Sequence, residues 1–220
     1  MVETYIRGAR VAGHRTMFLD RDEAPALYGG RHVTDPRSLL ADFERQAVMA
    51  VAEGYGAWAV VVDGTALVLT PESRASFARW EHLADRMFRS SGKIRALCVY
   101  DGREIGADAA AELGVLHQQT LPDDTPFHLC AGAEDVRLDG ELDLATLSLL
   151  DSAFATVTSA RDGDVVVDVS QLDFVDHRSL HVLGRHAEAH GKRVVLRSAK
   201  PIVRRLIEAA GVPAVTATTS

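Results

Sequence analysis

The chain has 220 residues, 47% of them hydrophobic, and a formal net charge of −7. That length allows one large domain or two modest ones, and no run approaches the ~18 unbroken apolar residues of a membrane span, so no membrane partner is expected. The negative balance argues against nonspecific nucleic-acid binding, which rests on Lys and Arg neutralising phosphates.

The start, MVETYIRGARVAGHR, lacks the apolar centre of a secretory signal, and a cytoplasmic location is the expectation. From there, β-branched runs alternate with longer helical patterns, the mark of an α/β protein. RTMFLD (15–20) reads as a strand. A helix starts at Asp35-Pro36, cap followed by first-turn proline, with Leu39, Leu40, Phe43, Ala47 and Val51 on one face and Gly54 at its end. AWAVVVD (57–63) is continuously apolar and is expected as a central strand covered on both faces. Thr70-Pro71-Glu72 opens the next helix, whose stripe of Phe77, Trp80, Ala84, Met87 and Phe88 reads as core. IRALCVYD (94–101) reads as another buried strand and ADAAAELGVL as a short helix. QQTLPDDTP (118–126) then breaks the periodicity, which sets the expected domains at 1–120 and 125–220.

In the second half, FHLCAG and DVRLDGELD read as hairpin arms or adjacent strands. A helix capped by Asp143 carries Leu147, Leu150, Phe154 and Val157 inward. DVVVDVS (164–170), the stretch LDFVDHRSLHVLGRHAEAHGKRVVL (172–196) and KRVVLRS continue the strand and helix alternation. The last helix starts at Pro201 with Ile202, Val203, Leu206, Ile207 and Ala210 inward, stops at Gly211, and VPAVTA supplies an edge strand. At the turn, Asp176 has the chemistry of a helix cap, yet His177 and Arg178 follow it, where the helix dipole favours anions.

Residues 127–217 resemble the STAS domain, shared by anti-sigma-factor antagonists and the tails of sulfate transporters. VRLDGELDLAT (136–146), VVVDVSQLDFVD (165–176) and KRVVLRSAKPIVRRLIEAAG (192–211) carry the likeness. It implies a mixed sheet with helices packed mainly on one side, and a module that binds a partner protein and is not an enzyme. In the phosphorylatable members, the turn after the strand reads roughly Asp-Ser-Ser-Gly-Leu, and the second Ser takes phosphate from a kinase-type anti-sigma factor. Here the five positions are Asp176, His177, Arg178, Ser179 and Leu180, which the resemblance makes the partner-binding residues. Arg178 stands at the acceptor position and cannot take phosphate by that route. Ser179 lies one residue along, roughly 100° around the helix, and is either a substitute phosphorylation site or none. Arg178 either points into solvent or pairs with a partner carboxylate as a bidentate donor.

Residues 16 to about 117 resemble the later part of the MEDS domain, a sensory module named after a methylotroph regulator of dichloromethane use. The carrying stretches are FERQAVMAVAEGYGAWAVVVDGTALVL (43–69), FARWEHLADRMF (77–88) and ALCVYDGREIGADAAAEL (96–113). The resemblance implies a RecA/KaiC-like parallel-sheet fragment and a small hydrophobic ligand. A full domain begins with a strand and loop that have no counterpart before Met1, which implies a shortened sensor or a late start, and an exposed sheet edge that a homodimer would cover. No G-x-x-x-x-G-K-[ST] loop is present, so Asp63 reads as a strand-end or turn residue and no nucleotide cofactor is expected.

Cys98 and Cys130 lack C-x-x-C spacing and read as small buried hydrophobes. Cys98 and Tyr100 share a strand face near a crevice and are candidate ligand-binding residues, with core packing as the alternative. His177 and His181 have metal-binding i, i+4 spacing but no third ligand, so no metal is expected. His186 and His190 read as solvated helix residues, and Lys200, Arg204 and Arg205 as a solvated basic face or part of an acidic-partner site. The rival reading of the whole chain is a small-molecule sensor whose STAS domain serves only oligomerisation.

Overall fold

The apolar run 57–63 forms the middle of a three-stranded parallel sheet. In the computed structural model, which describes residues 2–28, 35–122, 124–131, 136–159 and 163–218, the chain divides into two units, 1–110 and 111–220. Gly132 and Asp135, included in the expected strands, lie outside the described residues.

The first unit runs α1 (Val2–Val11), β1 (Arg15–Leu19), α2 (Glu23–Leu27), α3 (Pro36–Ala52), β2 (Trp58–Asp63), a 3₁₀ turn (Thr65–Leu67), α4 (Pro71–Ser91), β3 (Ile94–Val99) and α5 (Gly102–Ile105), and α6 (Ala107–Gly114) leads on from it. The sheet order is β1-β2-β3, with Val60 paired to Met17 on one side and Ala96 on the other. Both helix starts form as the capping chemistry demands. Asp35 accepts from the Ser38 amide at 3.0 Å, and Thr70 and Ser73 close a reciprocal capping box. Trp58, Phe43, Phe77 and Trp80 fill the core with Tyr28, Phe43 meeting Trp58 edge-on at 5.2 Å and Tyr28 meeting Trp80 at 4.8 Å. Such pairs add about 0.5–1.5 kcal/mol each beyond burial.

One strand differs from its expectation. β2 is buried along nearly its whole length, but in β3 only Ile94 is; Arg95 and Ala96 are exposed and Leu97, Cys98 and Val99 half-buried. Its apolar run resembles that of β2, yet its place at the edge of the sheet leaves it partnered on one side only.

The second unit contains β4 (Phe127–Ala131), β5 (Val136–Leu142), α7 (Leu147–Ser159), β6 (Val165–Asp168), β7 (Leu172–Val175), α8 (His177–Ala189), β8 (Val194–Arg197), α9 (Pro201–Ala210) and β9 (Val215–Thr218). β4 pairs antiparallel with β5, and the rest are parallel, in the order β4-β5-β6-β8-β9 with β7 also on β5. Alternation sorts the two faces. Phe127, Leu129, Val136, Leu138, Val165, Val167, Val194 and Leu196 are buried with Leu150, Phe154, Leu180, Leu183, Val203 and Ile207 of the helices in one core, while Arg137, Asp139, Asp168 and Arg197 are half-buried on alternate positions. Full burial of a Leu or Phe side chain contributes roughly 1.5–3 kcal/mol.

Two expectations are corrected. Ile202 is 69% exposed and does not face inward: Val203, Ile207 and Ala210 at i, i+4, i+7 take the core face, and Ile202 lies one position outside that stripe. His186 is not solvated. Its ring is half-buried against Phe154, and its Nε2 donates to Asp151 Oδ1 at 2.8 Å, an atom that also accepts from Arg185 at 2.6 Å. Partial burial pushes the Asp151 carboxyl up, but the bonds from His186 and Arg185 outweigh it and hold the group below the usual carboxylate range. A depressed acid stabilises the fold above its unfolded-state value, about pH 3.9, and that contribution fades as pH falls through the lowered folded-state value. Wild type is therefore expected to lose denaturation midpoint more steeply below about pH 4 than Asp151→Asn; parallel acid limbs in urea titrations would contradict the coupling.

Candidate functional site

β7 enters the second unit's sheet beside β5, and the chain turns at Asp176 into α8. Asp176 has extended backbone and caps the helix: its Oδ1 accepts from the Ser179 amide at 2.7 Å and from the Ser179 hydroxyl at 2.7 Å. That pair of hydrogen bonds orients the turn. Ser179 is fully buried and Leu180 beneath it joins the core, whereas His177 and Arg178 are exposed. The five residues thus split into two jobs, with Asp176, Ser179 and Leu180 holding the turn and His177 and Arg178 presented outward. No ion pair of Arg178 occurs within the described residues. Ser179 Oγ is enclosed and donates its proton to Asp176 Oδ1.

Sequence reasoning missed the apolar surroundings. Leu144 follows β5, Phe174 lies in β7 and Ile202 opens α9 after β8; they are 62%, 51% and 69% exposed. These strands are parallel, so all three side chains belong to the end of the sheet from which α8 starts. Phase gave a signal only for Ile202, which sits beside the core stripe of its helix; in β7 the pattern is buried, exposed, exposed, buried, so alternation from the buried Leu172 would place Phe174 inward. Lys200 is also engaged here, its Nζ donating to the Leu172 carbonyl at 2.8 Å, so it is not a merely solvated charge. His177 and His181 join no group of three metal-ligating side chains among the described residues.

In the first unit, Cys98 and Tyr100 converge on one atom. The Cys98 thiol donates to Glu81 Oε1 at 2.9 Å and the Tyr100 hydroxyl to the same oxygen at 3.3 Å. Cys98 is thus a half-buried hydrogen-bonding thiol, whereas Cys130 is buried. Burial, then the neighbouring Cys98 and Glu81, push the Tyr100 phenol well above its ordinary value, and the same causes raise Tyr28. A Cβ on Gly64 would lie 2.8 Å from the Tyr100 ring, so the missing side chain makes room for the phenol. Asp63 accepts from the Thr65 amide at 3.1 Å, a turn residue at the end of β2. Glu81 was the overlooked member. Its signal was a carboxylate inside the apolar stripe, four residues after Phe77 and three before Ala84.

Residues 5–118 match the family profile described as MEDS, the methanogen/methylotroph DcmR sensory domain. Residues 131–216 match the profile described as Mlab, STAS domain. The chain is also similar to the solved structure of the anti-sigma factor antagonist SpoIIAA in its unphosphorylated form, with 24% identity over 43% of this chain and 89% of that one, at a TM-score of 0.34. No curated protein matches the sequence. Among the described residues, no helix is long and apolar enough to cross a membrane.

Proposed function

Because the chain belongs to the MEDS family and carries a STAS domain, we propose that it is a regulatory protein whose STAS domain binds a kinase-type anti-sigma factor, in the manner of an antagonist but without a serine phosphoswitch. The observation that carries this reading is the gathering of Leu144, Phe174 and Ile202 at the end of the sheet where α8 presents His177 and Arg178. Exposed apolar residues grouped with polar neighbours mark protein-binding surfaces. Sequestration of Ser179 supports the loss of the switch, and no catalytic group is needed for such a module.

The MEDS domain is the sensor in this reading, and the Glu81, Cys98 and Tyr100 cluster is where a small hydrophobic ligand with one polar group would be read. A second copy pairing along the first unit's sheet edge would provide the dimer through which the sensor reports. The experiment is native mass spectrometry of the protein with each kinase-type anti-sigma factor of its host, with and without ATP. A complex that persists in ATP with no phosphate added is the expected result. Phosphate gained at Ser179 with the complex dissolving would overturn the reading of the turn, and no complex with any of them would overturn the assignment.

A further inference from the structure

Beside α8 runs an open groove of about 660 Å³, bounded on its far side by the α9–β9 connection. Its floor is apolar, from Leu147, Val182 and Val212, and its rim carries His177, Arg178, His181 and Arg185. Glu188 is the one acid lining it. In a chain of net charge −7 this is a local inversion of sign. The rim follows from helix geometry: 177, 181 and 185 recur at i, i+4, i+8, with 178 beside them, on the face opposite the buried Leu180, Leu183 and Ala187.

The groove is built by rigid elements. Gly184 lets α8 press against the connection, where a Cβ would fall 2.4 Å from Val212 Cγ1. Gly211 ends α9 in the left-handed conformation, at φ 61°, and turns the chain into the groove wall. Arg185 is braced by Asp151 at 2.6 Å, which holds its guanidinium along the rim.

We propose that this groove seats an acidic amphipathic segment of the partner protein, with apolar side chains on the floor and carboxylates against Arg178, His181 and Arg185. The inference deepens the antagonist reading and rests on it: it names the chemistry of the docking element and extends the surface along α8 beyond the Asp176–Leu180 turn. From His177 to Glu188 the rim runs about 16 Å at 1.5 Å per residue, the length of roughly three helical turns. Cations alone would accept any anion, and an apolar floor alone any hydrophobe; together they select a segment bearing both.

The test uses the full chain and a fluorescent helical peptide of about twelve residues, with Leu on one face and Glu on the other, beside its Gln counterpart. Fluorescence anisotropy is expected to show the Glu peptide binding about tenfold tighter than the Gln peptide. His181→Glu, an exposed position outside the turn, removes that preference, His181→Ala reduces it, and Arg205→Glu, outside the groove, changes affinity less than about twofold. Equal binding of the two peptides, no binding of either, or a His181→Glu variant that behaves as wild type overturns the proposal. The two levels separate with the anti-sigma factor itself. If it binds wild type and His181→Glu equally, the groove is wrong and the antagonist reading stands. If no anti-sigma factor binds while the peptides are discriminated, the groove stands and the antagonist reading falls.

Discussion

On the proposed function, Arg178→Glu is expected to lower affinity for a kinase-type anti-sigma factor about a hundredfold, while leaving the fold as stable as before or slightly more so. The two halves of this result come from different physics. Arg178 is exposed in the first turn of α8, so its side chain contributes no core packing. A cation there opposes the helix dipole, at a cost of about 0.3–1 kcal/mol, and a carboxylate in its place is favoured by a similar amount. The Asp176 cap is untouched, because its Oδ1 bonds the amide and hydroxyl of Ser179. Local stability therefore cannot be why an arginine occupies this position. In a complex, the guanidinium gives up water for a partner carboxylate, and reversing its charge leaves two carboxylates face to face, a change that typically costs 2–5 kcal/mol. Titration calorimetry paired with a thermal melt reads both numbers. Unchanged affinity would return Arg178 to the role of a solvated bystander and would favour the STAS domain as an oligomerisation scaffold; a parallel loss of stability would mean that Arg178 holds the turn together.

The helix starts were readable because they depend on neighbours in sequence. Asp35, Thr70 and Asp176 each cap with an atom three residues away, and an interaction of that range is visible in a string of letters. The individual strands and helices of the second unit were readable through the alternation of 136–142 and the stripes of α7 and α9, whereas the mixed sheet was expected only from the STAS resemblance carried by 136–146, 165–176 and 192–211. What failed to show depends on neighbours in space. Both β2 and β3 are largely apolar, and although Arg95 interrupts the second, it is sheet order that makes one central and the other an edge. Ile202 differs from Val203 by a single helical step, and a stripe read from sequence has no sharp border. His186 looked solvated because its acceptor, Asp151, sits on another helix. In the site, the composition of the turn was legible, but the division between residues that brace it and residues that face outward was not. That division rests on the second bond to Asp176, which draws the Ser179 hydroxyl inside.

Gly140→Ala is the substitution expected to cost the most stability, about 3 kcal/mol or more, from two effects that add. Gly140 has φ 87°, a conformation that strains any L side chain. It also lies where β5 changes partner register against β7, between the Gly140–Leu172 and Glu141–Phe174 pairs. A Cβ there would fall 2.5 Å from the Pro126 carbonyl oxygen and 2.8 Å from Phe127 Cα. Both are backbone atoms of the paired strand's start, so no rotamer change relieves them. Moving Pro126 away would break its bond from the Glu141 amide at 2.9 Å and disturb the Phe127–Gly140 pair. Gly163 supplies the control: φ there is 73° but nothing lies within 4 Å of the added Cβ, so Gly163→Ala carries the backbone strain alone, about 1 kcal/mol. Urea denaturation of the two variants separates strain from collision, and equal losses would show that β4 and β5 part easily at this point. The consequence reaches the site as well. β5 leads into Leu144, and β7, held by β5, leads into Asp176 and Arg178. A shift of the β5–β7 register moves the apolar residues and the arginine relative to each other, so Gly140→Ala at a temperature where it remains folded is also expected to weaken partner binding, whereas Gly163→Ala is not.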